Sequence, residues 1–270
     1  MSKVNNQEPE NRAKQAVRDG QGRFIKGSSG NPGGRPGIPA ELRQYARTAP
    51  DKLIAIAEDE ATPVKVRADI YKWFAEMSMG KNILNYDSML VLTHFKGHMM
   101  GGFGGSVKNI GIGCADGRIG KAMIHTTPGS SNIWDICEEE LMERMTESAK
   151  AVVDHFENHI GFINVLRNMS VSCDCEGLAA APVVTPNIGI VASLDILAVD
   201  QASIDLVYAL KPEENHDLVE RIESRHGLRQ LTYMKELGMG NDLYDLVDID
   251  NGDADITPAD AVKDVVPFTK

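Results

Sequence analysis

Three histidines and one lysine bracket a run of glycines in the middle of the chain. His94 and His98 come before Gly101, Gly102, Gly104 and Gly105; Lys108 and His125 come after. Imidazole changes its charge near neutral pH and ligates metals, ammonium holds anions, and glycine lets backbone approach a ligand without a Cβ in the way. Together these residues are candidates for charge, proton transfer or metal coordination at one place. Cys173-Asp174-Cys175 adds two thiols and a carboxylate, a second group of candidate ligands for a metal or cofactor. A plain structural role, in which these groups only hydrogen-bond the loop, stands beside that reading.

Sharper motifs fail on spacing. Lys108 does not follow a glycine and no Ser or Thr follows it, so the run is no P-loop; nor does it fit G-x-G-x-x-G. Its backbone N–H groups are still candidates for cradling a phosphate. Cys114, Cys137, Cys173 and Cys175 contain no C-x₂-C pair, so a ferredoxin-type ligand set is missing. Asp248, Asp250, Asp253, Asp255 and Asp260 resemble a calcium loop only loosely. If Asp260 is the last ligand, Ile249 falls on the first ligand position and Ala254 on the turn glycine. A solvated acidic tail fits those residues better.

The elements that must position these groups follow from periodicity. Ser88 to Thr93 is a short apolar run, read as a buried strand that delivers His94 to a sheet edge, with a glycine-rich loop from Gly97 to Gly113 behind it. Asp135 and Glu138 form a candidate capping box for a helix whose face carries Leu141, Met145, Ala149, Val152 and Phe156. Strands are expected at 160–166, 188–192 and 243–249, and helices at 198–210, 217–225 and 233–237. Strands alternating with helices predict an α/β fold.

The chain has a net charge of −11, unevenly spread. Residues 1–50 hold nine Lys/Arg against four Asp/Glu, a balance of +5, which leaves −16 for the remainder. Residues 1–38 are polar and rich in Gly and Pro, the composition of a disordered arm. Arg12, Lys14, Arg18, Arg23, Lys26 and Arg35 lie in it and are candidate nucleic-acid contacts. From 39 to 81 the pattern turns helical, with Thr62-Pro63 as a start signal. The N-terminus lacks an apolar signal core and no apolar run is long enough to span a bilayer, so a cytoplasmic chain without membrane association is expected.

Two stretches resemble known families. Gly27 to Pro36, reading GSSGNPGGRP, is similar to the opening word of the phage and prophage domain-of-unknown-function family numbered 5681, which is similar to small terminase subunits; the resemblance covers roughly residues 18–81. It implies DNA recognition. Leu92 to His98, Gly101 to Asn109, Cys173 to Cys175, Asn187 to Ser193, Ala198 to Ala202 and Leu237 to Gly240 resemble the domain-of-unknown-function family numbered 362 over residues 83–250. Members of that family are associated with iron–sulfur centres, which implies an iron–sulfur cluster or another metal. Finally, His98 to Lys108 is similar in spacing to a word of the nickel-pincer lactate racemases, with the serine and second glycine shifted. There the lysine, matched by Lys108, carries the cofactor, and histidines, matched by His98 and His125, handle protons and nickel.

The organisation expected is thus a disordered arm at 1–38, a small helical terminase-like segment at 39–81, an N-terminally truncated α/β domain with an incomplete sheet at 83–250, and an acidic flexible tail at 251–270. Three functional readings follow: a metal- or cofactor-related domain, a DNA-packaging protein with a passenger, or an inactive fusion product. Missing strands would leave an edge open to self-association. If the arm binds DNA, deleting residues 1–38 should weaken binding to a duplex of arbitrary sequence, and the affinity lost should be the part that falls steeply with salt. Equal affinity of the two chains across a salt series would rule the arm out.

Overall fold

The computed structural model describes residues 79–268 apart from 118 and 127–131, together with positions 55, 56, 59, 61 and 63; of Asp174 and Cys175 it describes the backbone. The chain divides between Arg67 and Ala68 into two compact units, and every element below lies in the second. The arm at 1–38, with its six candidate DNA contacts, lies outside the described residues, as does most of 39–81.

In chain order the unit carries β1 (Met89–His94), β2 (Lys96–His98), β3 (Gly102–Gly104), α1 (Ser106–Gly113), α2 (Gly120–His125), α3 (Glu138–Phe156) and β4 (Ile160–Leu166). Then follow β5 (Gly189–Ser193), α4 (Ile196–Ala209), α5 (Pro212–Ser224), α6 (Arg229–Glu236), β6 (Leu246–Asp248), β7 (Ala254–Ile256) and α7 (Pro258–Val262). The described residues form a three-stranded sheet in which β1 runs parallel to β4, and β4 antiparallel to β5. This is a mixed α/β fold with a small sheet and flanking helices, as the alternating pattern predicts.

Strand periodicity decides which face is buried. Val91 and Thr93 on β1, and Ile160, Phe162, Asn164 and Leu166 on β4, all point inward. They meet α1, α3 and α4, whose buried faces carry Val107 and Ile110, Ala149 and Val152, and Leu197 and Val207. Phe95 and Phe103 stack with centroids 5.6 Å apart beneath the β2–β3 hairpin. The outward positions are also apolar. Leu90, Leu92, Ile190 and Leu194 are 63% to 82% exposed, and Leu90 and Leu194 close over the bare backbone of Gly161.

Several expectations change on inspection. The run from Gly97 to Gly113 is no loop throughout: it forms the β2–β3 hairpin and α1. Asp135 caps no helix. It accepts from Asn132 Nδ2 at 2.6 Å in the preceding turn, and α3 begins at Glu138 with Cys137 before it. Glu138, Glu139 and Glu140 favour that start through the helix dipole instead. The closing strand is shorter and pairs with β7 as a separate hairpin, away from the main sheet. Residues after 250 add α7, which carries a Thr257–Asp260 capping box and buries Val262. Two of the acids that suggested calcium thus serve as caps: Asp260 here, and Asp248 on the turn Ile249–Asn251.

One polar network runs through this apolar interior. Helix α1 starts after Gly105, which has no side chain to cap it. Its first amides are taken by a residue 93 and 94 positions away: Ser106 N–H donates to Asp200 Oδ1 at 2.7 Å and Val107 N–H to Asp200 Oδ2 at 2.9 Å. Asn164 Nδ2 donates to the same carboxylate at 2.8 Å and to Ser203 Oγ at 2.9 Å, and Ser106 Oγ donates to Asn164 Oδ1 at 2.8 Å. Burial pushes the Asp200 carboxyl up to about 6, against the pull of these hydrogen bonds. The folded protein therefore keeps a proton there that the unfolded chain has already released. Asp200 should make stability fall as pH rises from about 4 to about 6, and level above that. Asp200→Asn should flatten that slope and cost about 2–4 kcal/mol, because an amide turns a donor toward a donor. Gly105→Ala would place a Cβ 2.5 Å from Asp200 Oδ1 and should cost about 1–3 kcal/mol. Urea unfolding across a pH series measures both.

Candidate functional site

A cavity of about 290 Å³ opens beside the C-terminal end of β1. Its wall includes Thr93, His94, Lys96, His98, Lys108, Asn109 and Cys173, with Gly97, Gly104 and Gly105 bringing bare backbone to the surface. The predicted placement at the end of the first strand is thus where the cavity lies, as expected for ligand sites in α/β folds. Two lysines and two histidines line it, and its lining contains no Asp or Glu among the described residues.

The side chains are held by identifiable partners. Asn109, one turn into α1, donates to Thr93 Oγ1 at 2.8 Å and to the Leu92 carbonyl at 3.2 Å, which fixes the helix to the strand end. His94 Nε2 donates to the Arg167 carbonyl at 2.8 Å, and its Nδ1 accepts from Lys96 Nζ at 3.4 Å. His98 Nδ1 accepts from the backbone N–H of Gly101 at 2.9 Å and of Met100 at 3.3 Å. The His98 imidazole is pushed down to about 4 by its burial first, then by the Lys108 charge; His125 and Arg221 act the same way and Glu176 against them. Lys108 lays its stem over Gly104. His98, Lys108 and His125 are therefore electrostatic neighbours, although His125 sits on α2 and outside the cavity lining. Gly102 is fixed by backbone: its φ is +72°, and a Cβ would lie 2.8 Å from the Gly227 Cα.

Several amides in and around the glycine run are committed within the fold. Met100 and Gly101 give theirs to His98, Phe103 to the Gly101 carbonyl, and Ser106 and Val107 to Asp200. Gly101 and Gly105 shape the loop and wall.

The second group is placed differently. Cys173 lines the cavity and is disulfide-bonded, so in this state its sulfur is no thiolate for a metal. Asp174 and Cys175 lie in the short 3₁₀ turn Asp174–Ala179. Glu176 in that turn accepts from Ser172 Oγ and Cys173 N–H. Cys114 and Cys137 are free, the former with its thiol raised by burial. Among the described residues no three His, Cys, Asp or Glu gather into a metal-holding group. Among the described residues the donor set falls short of the four ligands an iron–sulfur cluster takes.

Sequence reasoning missed Asp200, Asn164, Asn109, Glu176 and Gln230 as parts of the site's support. Gln230 is wholly buried on α6 and donates Nε2 to the carbonyls of Gly101 at 2.7 Å and Phe103 at 3.2 Å. A usable signal existed for two of them: Asn164 and Asp200 are polar residues at inward positions of a largely apolar strand and helix.

The family model described as "Domain of unknown function (DUF362)" matches residues 16–205, more than two thirds of the chain. The chain belongs to the DUF362 family. The DUF362 match contains β1 to β5, the glycine run, Cys173 and Asp200, and so the whole cavity wall. It also runs through residues 18–81, where a different family was expected, so one family model spans both sides of the boundary expected between residues 81 and 83. No curated protein and no solved structure matches the chain.

Gln230 is the clamp from which the glycine turn hangs. Gln230→Leu should take one donor from each of two carbonyls, that of Gly101 keeping the Phe103 amide, cost about 1–3 kcal/mol and speed amide exchange in residues 100–103. Unfolding curves and hydrogen exchange check it; unchanged exchange there would show the clamp to be dispensable.

Proposed function

We propose that this DUF362 domain binds a small molecule bearing an oxyanion, a carboxylate or a phosphate, in the cavity at the end of β1. The observation that supports the reading is the composition of the described wall: Lys96, Lys108, His94 and His98 line a hollow of about 290 Å³ together with Thr93 and Asn109. Two lysines brought to one hollow in a chain of net charge −11 are a local arrangement, contrary to the average. Asn109 and Thr93 add polar groups at fixed positions, which suits orientation of a ligand. The cofactor-related reading of the sequence is kept in this form, with side chains and not an iron–sulfur cluster as the recognising groups.

Calorimetric titration of the full chain with inorganic phosphate and with oxalate tests this. Wild-type protein should bind at least one of them, and Lys108→Met should weaken that binding about fivefold or more while the melting temperature holds. Absence of binding by the wild type, or equal binding by the variant, would refute the reading.

A further inference from the structure

Asp200 is a wholly buried carboxylate that lies behind the cavity wall. Gly105 lines the cavity, and a Cβ built on Gly105 would lie 2.5 Å from Asp200 Oδ1 and 2.7 Å from Oδ2. The backbone of that glycine separates the carboxylate from the cavity there. The same carboxylate holds the Ser106 and Val107 amides, and the next two residues of α1, Lys108 and Asn109, line the cavity as well. Thr93 of the wall meets the network through Ser106 Oγ at 3.4 Å. The groups facing Asp200 are polar and uncharged: the two amides from α1 and Asn164 from β4, which also reaches Ser203 on α4. Burial and these three hydrogen bonds set its carboxyl. Lys108 is the charged residue of α1, and β5 carries none. Charged groups of α4, α5, α6 and α7 have partners elsewhere: Asp205 with Tyr244, Glu223 with Tyr208, Arg229 with Glu143 and Glu236, and Asp260 with Thr257.

We propose that Asp200 takes up a proton when the cavity binds its oxyanion, so that occupancy of the cavity is coupled to pH. The proposal rests on the oxyanion reading above and adds the regulation of that site. An anion seated against Gly105 sets a second negative charge beside the buried carboxylate. Two like charges about 7 Å apart, at an effective dielectric of about 20, raise each other's proton affinity about tenfold or more. The carboxylate cannot swing away, because three donors hold it. Neutralisation relieves the repulsion instead. Oδ1 accepts from two of the donors and Oδ2 from one, so Oδ2 keeps a lone pair for the proton. The proton comes from solvent, and the O–H bond is the only bond formed. Burial already lifts this carboxyl to about 6, and the second charge lifts it further, into the neutral range. Between the two values the occupied protein holds a proton that the free protein has lost. Affinity therefore falls there as pH rises, by at most about tenfold per pH unit. Below about pH 6 Asp200 is protonated in both forms and contributes no slope.

Calorimetric titration of the full chain with oxalate at about pH 7, in two buffers of different ionisation enthalpy, counts the protons taken up. Oxalate stays fully ionised there, so any uptake belongs to the protein. About half a proton or more should enter per oxalate bound, and affinity should fall about fivefold to tenfold between about pH 6 and about pH 8. Asp200→Asn should bind oxalate with uptake near zero. Unchanged uptake in that variant would assign the proton to His94, His98 or His125 and overturn the proposal. A second measurement needs only wild-type protein, and decides alone where the variant does not fold. Addition of oxalate at the same pH should bring up the infrared C=O stretch of a protonated carboxyl, displaced by ¹³C-aspartate labelling; absence of that band would overturn the proposal. Where phosphate alone binds, the same infrared test applies to it. Binding without proton uptake would overturn the coupling and leave the oxyanion reading standing, whereas failure to bind either anion would remove both.

Discussion

A single buried carboxylate organises this domain. Asp200 lies in the middle of an apolar helix and accepts the first two amides of another helix, together with the amide of Asn164 on the central strand. Helix α1 has a glycine where a capping side chain would stand, so it cannot satisfy its own N-terminus. The cap comes instead from across the core. Three elements distant in sequence are thereby fixed relative to one another by one charged group. The interaction is strong because it is charge-assisted and buried, and it is exacting for the same reason, since any donor it lost would leave a carboxylate uncompensated in a dry interior.

That choice of cap shapes the site. A free helix N-terminus beside a glycine run would be a natural phosphate cradle. Here the amides face inward, and the outward surface of the same turn is left to His98, Lys108 and Asn109. Gly102 and Gly105 serve this arrangement through space alone: one in a left-handed conformation against Gly227, the other against Asp200 itself.

Membership of the DUF362 family covers residues 16–205, whereas the described fold continues through α5, α6 and α7. Those later helices are not ornament. Gln230 on α6 closes the hairpin that carries His98, and Arg221 on α5 donates to the Val171 carbonyl ahead of the cysteine turn. Support for the cavity therefore comes partly from residues beyond the family match.

The sequence alone determined the periodic elements. The inward face of α3, the strands at β1, β4 and β5, and the placement of a cluster of titratable groups at the end of β1 all follow from the spacing of apolar residues, because burial rewards that spacing locally. It also determined that the glycines were needed for close approach. Only the tertiary structure decided what they approach. No spacing rule connects Gly105 to Asp200 or Gly101 to Gln230, since these contacts join residues roughly a hundred positions apart. Nor could the sequence say which nitrogen of each histidine carries the proton. That is set by whether a backbone amide or a carbonyl happens to face the ring, and so by the fold around it. The capping box expected at Asp135 failed because a nearer partner, Asn132, took the carboxylate, whereas the strand expected at 243–249 shortened to Leu246–Asp248 and paired with β7 instead of the main sheet.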